Sequence, residues 1–151
     1  MAAPTSADTR NLARFRYAVR KFLHSSDAEA RRLGVTPQQH QLLLGIAGFM
    51  GRRWATIGEI AEFLQLRHHS AVGLVDRAEA AGLVRRQTNR EDRREVQVAI
   101  TAEGLRKLRL LAPQHRKELA GMRRSMDLFD LERYAKVKET TRTAAGRRRS
   151  G

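Results

Sequence analysis

The chain has no cysteine among its 151 residues. That excludes a disulfide framework, cysteine-ligated zinc, iron–sulfur clusters and thiol-based redox switching. Aromatic residues are scarce at 5%, with one tryptophan. Long hydrophobic runs are missing too. The longest mostly apolar stretch, Leu42 to Met50, falls far short of the ~20 residues a spanning helix needs. With 30% charged residues the composition does not read as membrane-spanning. The opening MAAPTSADTR has no basic segment followed by an apolar one, so a cytoplasmic location is expected rather than secretion. There is no G-x-S-x-G, no phosphate-binding glycine loop and no H-E-x-x-H, so nothing marks an enzyme. The scarce charge is the acidic one: 16 Asp and Glu against 30 Lys and Arg, a net +14. Such a balance favours a polyanionic partner, with nucleic acid ahead of an anionic membrane surface. The length suits one domain around one core.

The excess charge is unevenly spread. Residues 1–36 carry net +4, residues 37–66 balance, residues 67–104 carry +1, and residues 105–151 carry +9. The last eight residues, 144–151 (AAGRRRSG), read as a frayed basic tail able to make nonspecific phosphate contacts.

Leu12, Phe15, Ala18, Val19, Phe22 and Leu23 recur at helical spacing between arginines, predicting an amphipathic helix of about twenty residues that ends near Gly34. Thr36-Pro37-Gln38-Gln39 supplies an N-cap, a proline at the first helical position and a capping-box glutamine. The helix it opens runs through Leu42, Leu43, Ile46, Ala47, Phe49 and Met50 to Gly51. Trp54 to Ile57 is a scrap of strand. Thr56 and Glu59 form a second capping box before Ile60, Ala61, Phe63 and Leu64. After a break at Gln65-Leu66-Arg67, a helix from His68 to Ala81 carries an apolar stripe of Ala71, Val72, Val75 and Ala78, with Gly82 as its stop. Leu83–Thr88 and Glu95–Ile100 read as a hairpin with a charged tip. The second strand alternates, Val96, Val98 and Ile100 on one face and Glu95, Gln97 and Ala99 on the other. Thr101 caps a helix bearing Leu105, Leu108, Leu111 and Ala112, which Pro113 is expected to kink or split unless packing absorbs the lost hydrogen bond. A last helix, about Asp127 to Thr143, presents Leu128, Leu131, Tyr134, Ala135 and Val137.

This order is that of a winged helix-turn-helix flanked by long helices. The stretch LVDRAEAAGLVRRQTNREDRREVQVAITAEG, Leu74 to Gly104, resembles the multiple-antibiotic-resistance regulator (MarR) family. The resemblance lies in Asp76-Arg77, in the E-A-x-G-L-V turn at Glu79 to Val84, in D-x-R at Asp92 to Arg94, and in I-T-x-x-G at Ile100 to Gly104. No piece is specific alone; together, in this order, they are. The expected fold is mainly α with a small β-hairpin wing, a single domain over 1–151. It comprises a winged helix-turn-helix module at 37–104, N- and C-terminal dimerisation helices at 10–33 and 105–143, and the tail.

An α-helix fits the major groove of B-DNA, where all four base pairs are distinguishable. Arg67, His68, His69, Ser70, Gly73 and Arg77 lie at the start and off the apolar stripe of the helix from His68. They are the candidate base and phosphate contacts, with Gly73 permitting close backbone approach. Many relatives have Ser-x-Pro at the turn before this helix. Here the matching positions are Arg67 and His69, so the family's cap is not carried over. Adjacent histidines point ~100° apart on a helix and rarely chelate one ion, so no metal or cofactor is expected at His68 and His69. In the wing, a narrow minor groove attracts an inserted arginine. Arg94 matches the family's wing arginine, with Arg93 and Arg90 as phosphate contacts. Asp92 would be repelled by DNA and is expected to form a structural ion pair orienting Arg77 or Arg94.

The resemblance further implies a homodimer formed by the first and last helices and matched to a pseudo-palindromic operator in double-stranded DNA. It also implies release by a small aromatic or phenolic effector. Phe15, Phe22, His40, Met50 and His115 are candidates for its cleft by element order alone, and the ligand-binding residues stay unknown. Otherwise His24, His40 and His115 read as surface or packing histidines. The function expected is a sequence-specific transcriptional regulator, a repressor released by a small molecule. The alternative is a nonspecific or architectural nucleic-acid-binding protein that uses its basic ends more than its reading helix.

Overall fold

The structure is a computed structural model that describes residues 5–126. Helix α1 spans Ser6–Arg32, and α2 (Pro37–Leu44) runs on into a π-helical turn at Gly45–Phe49. Strand β1 (Trp54–Thr56), helices α3 (Ile57–Leu64) and α4 (His68–Ala80), strands β2 (Val84–Thr88) and β3 (Val96–Ile100), and α5 (Ala102–Met126) follow. The mainly helical fold with a small antiparallel sheet is as expected. The last helix expected at Asp127–Thr143 and the basic tail at 144–151 lie outside the described residues. The chain forms two compact units. One is Ser25–His115; the other contains the first part of α1 and the last part of α5.

Local chemistry accounts for the helix starts. Thr5 and Asp8 cap α1 reciprocally: Thr5 Oγ1 accepts the Asp8 N–H (3.2 Å) and Asp8 Oδ2 accepts the Thr5 N–H (2.9 Å). Both expected capping boxes form, Thr36 with Gln39 at α2 and Thr56 with Glu59 at α3. Each satisfies two amides that a helix start otherwise leaves open. At the end of α1, the Lys107 ammonium donates to the Leu33 carbonyl.

The second helix does not run regularly to Gly51. From Gly45 it widens, with the Met50 N–H reaching the Gly45 carbonyl at 3.0 Å. A Cβ on Gly45 would lie 2.5 Å from the Phe63 ring, so α3 packs directly against bare backbone there.

The core of the Ser25–His115 unit comprises Ala30, Val35, Leu42, Leu43, Ile46, Ala55, Ile60, Ala71, Leu74, Val75, Ala78, Leu83, Val84, Val98 and Ile100. Leu74, outside the stripe read from sequence, is among the best buried on α4, whereas Val72 is only half-buried. The scrap of strand matters more than its length suggests, because β1 pairs with β3 (Trp54 opposite Ala99, Thr56 opposite Gln97) and makes β3 central in the order β1-β3-β2. Centrality explains why the alternation on β3 fails as a guide to burial. Gln97 is 7% exposed and Ala99 6%, while Val96, nearer the wing tip, is 44% exposed.

Pro113 lies inside α5 without splitting it. Both Pro113 and Arg109, whose carbonyl loses its intrahelical donor, are exposed, so water can take the freed bond. Among the described residues, no helix is long and apolar enough to cross a membrane.

Candidate nucleic-acid interface

Helix α4 presents two faces. Ala71, Leu74, Val75 and Ala78 are buried; Arg67, His68, His69, Asp76 and Arg77 are exposed, and Ser70 and Gly73 are half-buried. The sequence-predicted reading residues therefore share the open side of a helix seated on the core. Arg67 occupies the N-cap position in an extended conformation and makes no side-chain cap. First-turn amides of α4 thus have no acceptor from the Arg67 side chain, unlike those of α2 and α3. A Cβ on Gly73 would lie 3.4 Å from the Arg77 guanidinium, so Arg77 folds back over the glycine. Among the described residues, no group of three or more His, Asp or Glu side chains is placed to hold a metal ion.

The wing is tied to this helix by a residue that the sequence reading passed over. The Arg86 guanidinium pairs with Asp76 at 2.6 Å and with Glu79 at 3.0 Å, and the Arg86 backbone N–H donates to Glu79 at 2.6 Å. The backbone and side-chain bonds from Arg86 hold the Glu79 carboxyl below its ordinary range. Asp76 and Glu79, three apart, stand side by side on α4. That acidic pair facing a strand arginine was the available signal.

Asp92 does not form the expected ion pair with Arg77 or Arg94. Its carboxylate accepts the Arg94 backbone N–H at 2.9 Å, closing a local turn. Two residues apart, the side chain reaches its neighbour's backbone more readily than a distant guanidinium. The orienting ion pair belongs to Arg86 instead. Arg90, Arg93 and Arg94 are all exposed at the tip and, among the described residues, carry no ion pair.

On the other flank, Arg52 lies 3.8 Å over the Trp54 ring and pairs with Glu59, the capping-box residue of α3. The Arg52 contact holds the Glu59 carboxyl below its usual range. Behind the wing, Thr101 donates to the Gly82 and Leu83 carbonyls (2.6 and 3.0 Å) and accepts the Gly104 N–H at 3.1 Å. The I-T-x-x-G segment is therefore a joint between the end of the wing and the start of α5.

Of the residues considered for an effector cleft, His40 and His115 meet. Their Nε2 atoms are 2.8 Å apart with the rings nearly coplanar, and the His40 Nδ1 is buried without a partner. With both rings neutral, one Nε2–H donates and the other Nε2 accepts. Burial, and secondarily the neighbouring His115, pushes the His40 pKa from 6.5 down to about 4, against a weaker opposing pull from Asp27. His40 therefore stays neutral when folded, while the unfolded chain protonates below 6.5. Stability from this pair is full above pH 6.5 and is lost as pH falls toward 4. His115 is half-exposed, which screens the pair, so we expect a loss of about 2 kcal/mol across that window. His40→Gln should flatten the pH dependence of thermal unfolding between pH 4 and 6.5; an unchanged slope would assign it to other groups. Met50 packs against the core of the same unit; Phe15 and Phe22 belong to the other unit.

The MarR family model matches residues 33–95, from the end of α1 to the wing. Residues 33–95 thus form a winged helix similar to those of the MarR family. Solved structures agree in fold. AbsC, a MarR family transcriptional regulator from Streptomyces coelicolor, superposes with a TM-score of 0.68 at 21% identity, covering 100% of both chains. Sco3205 from the same organism, solved in complex with DNA, gives 0.66 at 22% identity over 96% of this chain and 89% of its own. BpsR of Bordetella bronchiseptica, whose DNA binding is regulated by 6-hydroxynicotinic acid, gives 0.58 at 17% identity over 85% and 94%. No curated relative matches the chain. AbsC and SP03579 are both MarR family transcription regulators.

Proposed function

We propose that this MarR-family chain is a homodimeric, sequence-specific DNA-binding repressor, with α4 in the major groove and the Arg90–Arg94 wing on the flanking minor groove. The observation that carries the reading is the linkage of two surfaces that present exposed arginines, α4 and the wing, through Arg86. A reader of this kind needs its groove contacts held in register. Residues 37–104 form the reading module, while 10–33 and 105–143 pair with a second copy. On α1, Leu12 (55% exposed) and Tyr17 are exposed, as is Leu119 on α5. Pairing with a second copy would cover these side chains. The basic tail adds sequence-independent phosphate attraction. Sco3205 in its DNA complex supports the DNA partner, and BpsR with 6-hydroxynicotinic acid supports release by a small aromatic effector.

The test uses operator fragments selected by the full chain from genomic DNA. Arg94→Ala should weaken operator binding about tenfold or more while leaving the dimer intact. Arg77→Ala should relax sequence preference more than it lowers affinity for random duplex. An operator-to-random ratio near one for the unaltered chain, against the ~10³ of specific readers, would reduce it to an architectural protein.

A further inference from the structure

The wing tip contains an acid that, among the described residues, forms no ion pair. Glu95 sits among Arg90, Arg93 and Arg94, yet its Oε1 accepts two neutral amides, from Asn89 Nδ2 at 3.0 Å and Gln97 Nε2 at 3.1 Å. Gln97, buried in the central strand, accepts in turn from Gln87 Nε2 at 3.1 Å. The backbone closes around the same residue: the Asn89 N–H donates to the Glu95 carbonyl and the Glu95 N–H to the Asp92 carbonyl, both at 3.1 Å. Asn89 Oδ1 also takes the Glu91 N–H at 3.0 Å. Glu95 is thus the joint between the buried amide ladder of the hairpin and the turn that carries the arginines.

An uncompensated carboxylate beside a DNA-facing tip repels phosphates, so on charge alone its removal strengthens binding. We propose that Glu95 is a positioning residue for DNA recognition, holding the tip through Asn89 and Gln97 so that Arg94 meets the minor groove at a set angle. This rests on the wing reading above. It predicts the opposite sign from charge alone: truncating Glu95 weakens operator binding although the chain becomes more positive.

The experiment is a double-mutant cycle on the full chain, with binding to a selected operator fragment and to a scrambled duplex measured by fluorescence anisotropy. Glu95→Ala should lose about tenfold on the operator and much less on the scrambled duplex. Glu95→Gln, which keeps an Oε1 acceptor and drops the charge, should bind within about twofold of the unaltered chain or more tightly. Asn89→Ala, which removes the partner without touching charge, should reproduce the Glu95→Ala loss, a control against simple misfolding. In the Arg94→Ala background, Glu95→Ala should cost no more than about twofold further. Tighter operator binding by Glu95→Ala, or losses that add in the double variant, would overturn the positioning role while leaving the wing reading intact. If Arg94→Ala itself leaves operator affinity unchanged, the wing reading fails and this role falls with it.

Discussion

Truncation of Arg86 to alanine is expected to lower DNA affinity on the order of 10²-fold, since charge-assisted bonds are worth ~1.5–3 kcal/mol each and tenfold is ~1.4 kcal/mol. Two effects act in the same direction. Asp76 and Glu79 lose the guanidinium 2.6 and 3.0 Å away and stand as bare carboxylates on the helix proposed to enter the groove. The strand leading to the wing also loses its side-chain tie to that helix, keeping only the Arg86 backbone bond to Glu79. Salt separates the two effects. Carboxylate repulsion is screened as ionic strength rises, whereas misalignment of the wing is not. The measurement is operator affinity at two salt concentrations for Arg86→Ala and Arg86→Lys. Lysine keeps the charge but not the fork that spans two acids, so partial recovery is expected. A loss under about threefold for the alanine variant would show that α4 and the wing act independently.

Gly104→Ala should be the most destabilising single-methyl change in the Ser25–His115 unit. The added Cβ would overlap the Leu83 carbonyl oxygen and lie 2.8 Å from Ile100 Cγ1 and 3.1 Å from Leu43 Cδ2. The side-chain atoms can give way; the carbonyl cannot do so cheaply, because it already accepts the Thr101 N–H and hydroxyl at 3.1 and 3.0 Å. The start of α5 must shift instead. Overpacking against backbone points to a loss of about 3 kcal/mol, or roughly 15 °C in Tm for a unit of this size. Gly48→Ala, where a Cβ meets nothing within 4 Å, is the matched control and should leave Tm unchanged or slightly raised. Thermal unfolding followed by circular dichroism decides it; equal Tm values for the two variants would remove the close-packing argument. The same result bears on the I-T-x-x-G motif, whose glycine is then required by packing rather than by DNA.

What was legible in the sequence was local. Capping boxes at Thr36/Gln39 and Thr56/Glu59 span four residues, and their chemistry is complete within that span. The exposed side of α4 was legible for the same reason, since helical period alone separates Arg77 from Ala78. Where partners are remote, the reading failed. The alternation on β3 separated its two faces but did not show that Gln97 is buried and Val96 exposed; β1, only three residues long, pairs with β3 and makes it the central strand. Asp92 closes a local turn on the Arg94 N–H rather than pairing with Arg77 or Arg94. The bridging cation, Arg86, lies across a turn and ten residues from Asp76.

The sequence by itself determined the element order, the helix starts, the absence of thiol chemistry and the placement of arginines at the wing tip. Each of these depends on residue type and on neighbours within one or two turns. Only the tertiary structure decided which acid meets which arginine, which strand is central, why Gly104 must lack a side chain, and that His40 meets His115. Those contacts join residues up to 75 positions apart, and no local period encodes such a pairing. The low net charge of the reading module sharpens the point. At +1 over residues 67–104, charge alone draws few phosphates to this segment. Its cations act by position, and several of its acids, Asp76, Glu79, Asp92 and Glu95, are what hold the module in place.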